Sequence, residues 1–128
     1  MSDLPDLAAD DALDRFARAA LGRKAARLVL LDVRELTSVA DAFLICSGRS
    51  NRQVTAIAEH VRTSLRAGGL RPLHVEGEKE GHWVLIDYGH VVVHVFYEPV
   101  RHFYDLESLW CDAPRIDLET LPDKAEDR

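Results

Sequence analysis

Nowhere does this 128-residue chain approach the uninterrupted run of about 20 apolar residues that a helix needs to cross a bilayer, although 47% of its residues are apolar. That apolar content is too high for a disordered chain and its runs are too broken for a membrane span, so a globular domain is expected. Cysteine is scarce. Cys46 and Cys111 stand far apart, without a CxxC pair or a histidine cluster. Neither a disulfide framework nor a zinc site is written here, and two buried or idle thiols are expected. The cationic start of a signal peptide is missing too, because Met1 to Asp11 carry four aspartates and no basic residue. A cytoplasmic location is expected. No internal repeat is visible, and no Gly-x-Ser-x-Gly elbow surrounds Ser50, Cys46 or any other candidate nucleophile. The length fits one domain that buries roughly two thirds of the surface its unfolded form exposes.

Positive charge is scarce at both ends. Residues 1–14 hold five acidic side chains and no basic one, and residues 112–128 hold six acidic against three basic. The two ends account for −8 and the body from Arg15 to Cys111 for +2, giving the net −6 of the chain. Gripping nucleic acid through phosphates needs a concentrated basic stripe, and acidic ends oppose it, so little direct nucleic-acid binding is expected.

Leu13, Phe16, Ala17, Ala20 and Leu21 recur at helical spacing, with aspartates before them and Gly22 after them. Ala26–Val33 reads as a strand buried on both faces and Ala42–Ser47 as another. Ser50 with Gln53 makes a capping-box pattern ahead of a stripe of Val54, Ile57, Ala58, Val61 and Leu65, which Gly68-Gly69 ends. Leu73–Glu76 predicts a brief strand. His82–Tyr88 and His90–Tyr97 predict a hairpin turning on Tyr88-Gly89. Beyond Pro99, Phe103, Leu106, Leu109 and Trp110 predict one last short helix, and the chain past Cys111 loses periodicity and is expected to be mobile. The expected architecture is an α/β (α+β) domain, a mixed sheet of about five strands flanked by helices. Its domain spans 8–112, between an acidic N-terminal tail, 1–7, and an acidic C-terminal tail, 113–128.

With Tyr88-Gly89 as the turn, Asp87 pairs with His90, Leu85 with Val92 and Trp83 with His94, all on one face. The other face receives Val84, Ile86, Val91, Val93 and Val95 and must be core. The first face mixes aromatic, aliphatic and polar groups, and such a face is either covered by a terminal helix or docks a partner. Trp83, Asp87, Tyr88, His90 and His94 are the candidate partner-binding residues. His90 and His94 are four apart, which on a strand separates them by roughly 13 Å, so they do not form a metal pair. Gly48-Arg49-Ser50 stands between a strand and a helix N-terminus, where backbone N–H groups could hold a phosphate. A nucleotidyltransferase would add two carboxylates on an adjacent strand to hold Mg²⁺. Only Glu76 and Glu78 have the alternating spacing, and they lie past a strand end in a charged loop. No metal, cofactor or catalytic group is assigned.

Seven blocks carry a family likeness: Leu31-Asp32-Val33, Ala40-Asp41-Ala42-Phe43, Ser47-Gly48-Arg49-Ser50, Glu76-Gly77, Trp83 to Gly89, Val93-His94-Val95-Phe96, and Tyr104 to Trp110. Over about residues 8–112 the chain resembles the Iojap family of ribosomal silencing factors. The resemblance implies a nucleotidyltransferase-like fold without a working catalytic centre, and a homodimer. It also implies binding to the large ribosomal subunit through its fourteenth protein, which blocks joining of the small subunit and represses translation when nutrients are short. Acidic ends suit a basic ribosomal partner. Among the matched positions, Asp32, Asp41, Gly48, Ser50, Glu76, Gly77, Tyr104, Leu106 and Trp110 are expected to serve the fold: Gly48 and Gly77 as tight turns, Leu106 and Trp110 as anchors of the last helix, and Asp32 as a cap or pair near a strand end. The chain departs from the family pattern at Ala42, where an aromatic often follows the Asp directly, and in its acidic C-terminal extension. Two rival readings are a metal-dependent nucleotidyltransferase using Gly48, Ser50 and Glu76 or Glu78, and a non-silencing dimeric adaptor in large-subunit assembly.

Overall fold

The computed structural model describes residues 6, 7 and 11–118; most of the N-terminal acidic stretch and the C-terminal ten residues lie outside them. Helix α1 (Asp11–Leu21) leads into β1 (Ala26–Asp32), β2 (Ala42–Gly48), helix α2 (Asn51–Ala67), β3 (His74–Glu76), β4 (Trp83–Asp87), β5 (Val91–Tyr97) and two short helices, α3 (Glu98–Tyr104) and α4 (Leu106–Leu109). The five strands form one sheet in the order β1-β2-β5-β4-β3. β2 and β5 run parallel while every other neighbouring pair is antiparallel, so the sheet is mixed as expected. None of the described helices is long and apolar enough to cross a membrane.

The aliphatic face of the hairpin is core. Val84, Ile86, Val91, Val93 and Val95 pack with Leu28, Leu30 and Leu44 beneath α1 and α2. Helix α1 buries Leu13, Phe16, Ala17, Ala19 and Ala20 against it, and α2 buries the predicted stripe of Val54, Ile57, Ala58, Val61 and Leu65. Ser50 caps α2, its Oγ accepting from the Gln53 N–H at 3.1 Å. The Gln53 side chain returns its bond to the Arg49 N–H (2.7 Å), one residue before the cap.

Four expectations need correction. The hairpin pairs Asp87 with Val92, Leu85 with His94 and Trp83 with Phe96, two residues away from the expected register. The cause is the turn: Gly89 takes the positive φ (88°) that Tyr88 would adopt only at a steric cost, so the central residues are Gly89-His90. A shift of two keeps the side chains of Trp83–Asp87 and Val91–Tyr97 on their expected faces, whereas His90, expected opposite Asp87, becomes a turn residue on the helix side. Second, β1 feeds both faces but is an edge strand, with Arg27 at φ 51° and a register slip between Ala26 and Val29. Third, residues 113–118 are not a mobile tail. The Asp32 N–H donates to the Pro114 carbonyl (2.8 Å), the Ile116 N–H donates to the Leu30 carbonyl (2.9 Å), and Ala113 and Ile116 are buried. This segment occupies hydrogen-bonding groups that the edge of β1 would otherwise offer to another chain. Fourth, the last helix is two helices, because Asp105 turns left-handed (φ 46°) between them.

Candidate functional site

The second face of the sheet is aromatic and, among the described residues, only partly roofed. Phe43 and Ile45 of β2, Val92 and Phe96 of β5 and Leu31 of β1 form its floor, and Trp83, Leu85, Val100, Leu106 and Trp110 pack around them half-buried. Trp83 is the hub: its ring stacks on Phe96 (centroids 4.8 Å) and meets Tyr104 at 5.1 Å, and Tyr104 meets Phe103 at 5.2 Å. The Trp83 indole N–H donates to His94 Nδ1 at 3.2 Å, which places the imidazole proton on Nε2. His94 is 5% exposed, and its Nε2 has no hydrogen-bond partner among the described residues. Burial pushes its pKa down to about 4, so His94 is neutral at pH 7 and serves as an acceptor for Trp83. Phe43 stands edge-on to both His94 (5.2 Å) and Trp110 (5.0 Å) and locks the far side.

Helix α3 is fastened to this face by a buried cation that the sequence reading missed. Arg101 is fully buried, donates to the Ser47 hydroxyl on β2 (2.8 Å), and grips the Glu107 carboxylate with two bonds of 2.9 and 3.1 Å. The guanidinium lowers the pKa of Glu107, keeping the pair ionised. Nothing in the local sequence flags this, because one Arg on a short helix and one Glu six residues on read as solvated charges. The clamp and the left-handed Asp105 fix α3 and α4 so that Phe103, Tyr104 and Leu109 face outward at 81%, 54% and 76% exposure. Sequence spacing had placed Phe103 and Leu109 on the buried side of one continuous helix. Beside Trp83 and Tyr104 a cleft of about 250 Å³ opens, bounded also by Gly77, Glu80, His82 and Val100.

The structure divides the candidate partner residues. Trp83, Asp87 and His94 share the aromatic face through the β4–β5 pairing. Tyr88 and His90 belong to the helix side: Tyr88 is buried with its ring 5.0 Å from Phe16, and His90 lies 5.9 Å from the same ring. Asp87 Oδ1 accepts the Gly89 N–H at 2.7 Å, so this carboxylate also shapes the turn.

The matched positions expected to serve the fold have visible tasks. Asp32 accepts from the Arg34 backbone N–H (3.1 Å) and is held by its guanidinium (2.8 and 3.0 Å), which lowers its pKa. Asp41 is exposed and works through its backbone, donating to the His90 carbonyl and accepting from the Val33 N–H. Gly77 has φ 85°, and a Cβ there would sit 2.0 Å from the Trp83 carbonyl oxygen, which makes it the turn expected. Gly48 is not a tight turn: it ends β2 opposite Tyr97, and a Cβ would press to 2.9 Å from the Val54 nitrogen, so glycine lets α2 approach the sheet. Leu106 and Trp110 pack on the aromatic core, and Tyr104 covers Trp83 while staying half in solvent.

The two carboxylates considered for metal chemistry are engaged elsewhere. Glu76 is bonded to His74 (2.6 Å), and both oxygens of Glu78 accept from Arg62 at 2.7 Å. Among the described residues no group of three His, Cys, Asp or Glu side chains is placed to hold a metal ion. Of the thiols, Cys46 is buried and its pKa is pushed up to about 12 by that burial, whereas Cys111 is exposed.

A family model described as "Ribosomal silencing factor during starvation" matches residues 6–128. The chain belongs to the ribosomal silencing factor family. The relative of that name from Halalkalibacterium halodurans is 44% identical over 97 residues, covering 76% of this chain and 83% of the relative. The Bacillus subtilis ribosomal silencing factor is 45% identical over 106 residues, covering 82% and 90%. A crystal structure of a Chromobacterium violaceum protein superposes with a TM-score of 0.77 at 38% identity, covering 79% of this chain and 84% of that one. Membership in this family agrees with the seven sequence blocks.

Proposed function

We propose that this ribosomal silencing factor binds the large ribosomal subunit through its fourteenth protein, sterically blocks joining of the small subunit, and so represses translation, above all under nutrient limitation. The observation that carries the reading is the half-roofed aromatic face, where Trp83, Tyr104, Phe103 and Leu109 offer apolar contact, while among the described residues no group of acidic, histidine or cysteine side chains is placed to hold a metal ion. Large aromatic side chains at the centre of an exposed patch are the groups that dominate docking energy. Asp87, at the hairpin end of the same face, adds negative charge toward a basic ribosomal protein, and the acidic ends of the chain favour encounter with it while repelling rRNA phosphates. A cytoplasmic location follows from such a role. The relatives carrying the same family name support it.

A homodimer is part of this reading. Leu36, Val39 and Leu73 are exposed in addition to the three apolar groups of α3 and α4, which leaves apolar surface for a second copy. The deciding experiment is sedimentation of the purified protein with separated subunits. It should travel with large subunits and not with small subunits or assembled ribosomes, and it should lower the yield of assembled ribosomes when added before mixing. Equal binding to both subunits contradicts the proposal.

A further inference from the structure

On the opposite side of the sheet, α1 and α2 enclose a groove of about 350 Å³ that the docking reading does not use. Arg15 and Arg18 are three residues apart on α1, and His60 and Ser64 are four apart on α2, so each pair lies on one side of its helix. Gly22 approaches His60 while Gly68 approaches Arg15, so the helices run in opposite directions and bring the two pairs together across the groove. Ala19 and Leu65 supply an apolar floor. No carboxylate lines the groove. Arg18 shares its charge with Asp14 at 2.7 Å, but Arg15 forms no ion pair among the described residues. The α2 C-terminus nearby would repel an anion if its carbonyls were open, yet the Leu65 and Arg66 carbonyls are taken by the N–H groups of Gly68, Gly69 and Leu70.

Two guanidinium groups, an imidazole and a hydroxyl around an apolar floor are the chemistry of a phosphate ester, with planar forks for the phosphate oxygens and greasy surface for the organic part. The volume falls at the small end of ligand pockets, roughly 300–1,000 Å³. We propose that this groove binds a small phosphorylated molecule, its phosphate held by Arg15, Arg18 and Ser64 and its organic part resting on Ala19 and Leu65. Nucleic acid is a poorer occupant, because following a phosphate backbone takes an extended basic track and this chain is acidic at both ends.

The test is titration calorimetry of the full chain with inorganic pyrophosphate, with ADP and with a short single-stranded RNA. One saturable site for pyrophosphate or ADP is expected, tighter for ADP, and weakened at least about tenfold in both Arg15→Gln and Arg15→Glu. Because Arg15 is exposed, both variants should melt within about 2 °C of the parent, and Ser64→Ala gives a milder loss in the same direction. Absence of saturable binding to pyrophosphate and ADP overturns the proposal, as does binding that Arg15→Glu leaves unchanged, or binding confined to RNA. None of these outcomes bears on the aromatic face.

Discussion

The two faces of this one sheet are built on opposite plans. The helix-covered face is aliphatic and sealed, with α1 and α2 laying two continuous apolar stripes over valines, isoleucine and leucines. The other face is aromatic, contains a buried imidazole and a buried guanidinium, and among the described residues is roofed by two short helices and the segment after them. A sealed aliphatic layer gains from burial alone, roughly 25 cal/mol per Å² of apolar surface, and needs no orientation beyond packing. An aromatic layer that stays half open gains less from folding and retains contact energy for a partner, but each polar group within it must be held by a specific bond. The difference shows where strength resides and where the proposed docking would take place: stability comes from the helix layer, and the proposed recognition uses the face that folding leaves partly open.

The sharpest way to break that contrast is to open a hole in the sealed face. Phe16 is fully buried and touches Tyr88 edge-on at 5.0 Å. Phe16→Ala should cost about 3–5 kcal/mol in chemical denaturation. A loss below about 1 kcal/mol would mean that α1 is not part of the cooperative core.

Next in size is the acid response of the aromatic face. The folded pKa of His94 is lowered to about 4 from 6.5, so between these values the unfolded chain binds a proton that the native chain refuses. Stability from this group is present above pH 6.5, falls as pH drops toward 4, and totals roughly 3 kcal/mol across that window. Asp32 and Glu107, whose carboxyls are held low by arginines, add losses that begin near their ordinary values, at the acid end of this window, and grow at lower pH. In His94→Gln the fall in stability between pH 6.5 and 4 should flatten. An unchanged slope in that variant assigns the acid response elsewhere.

Smaller is the effect of charge at the hairpin end of the same face. Asp87→Lys should weaken large-subunit binding by at least about 1.4 kcal/mol, a factor of ten, by turning attraction into repulsion. The lysine also forfeits the bond to the Gly89 N–H, so Asp87→Asn, which keeps an acceptor there, separates the turn from the charge. If Asp87→Lys is folded and binds at parental strength, Asp87 takes no part in docking.

The smallest expected change in stability belongs to the outermost side chains. Phe103→Ser and Leu109→Ser should each leave unfolding free energy within about 0.5 kcal/mol while reducing subunit binding. A large loss of stability in either would place these residues in the fold and remove them from the candidate surface.

Much of this molecule follows from local pattern. The stripe of Val54, Ile57, Ala58, Val61 and Leu65 with Ser50 before it, the alternation through Trp83–Asp87, and the aliphatic run of β5 depend on periodicity, which the chain carries residue by residue. The faces of the hairpin survived a wrong turn assignment because a slip of two residues preserves side-chain direction. The register itself depended on which residue takes a positive φ, and Gly89 was the one able to do so without strain. Beyond that, contacts distant in sequence made the decisions. Arg101 and Ser47 are separated by 54 positions, and only the docking of α3 on β2 turns that arginine from a surface charge into a buried clamp. The left-handed Asp105 splits a helix that spacing alone makes continuous, and so exposes Phe103 and Leu109. The segment at Pro114–Ile116 shows no apolar period of its own and is ordered by hydrogen bonds that the open edge of β1 supplies. The sequence by itself thus determined the elements and the side chains each face presents, since these follow from the 3.6- and 2-residue periods. Tertiary structure decided which of those faces stays open, because coverage depends on where distant segments come to rest.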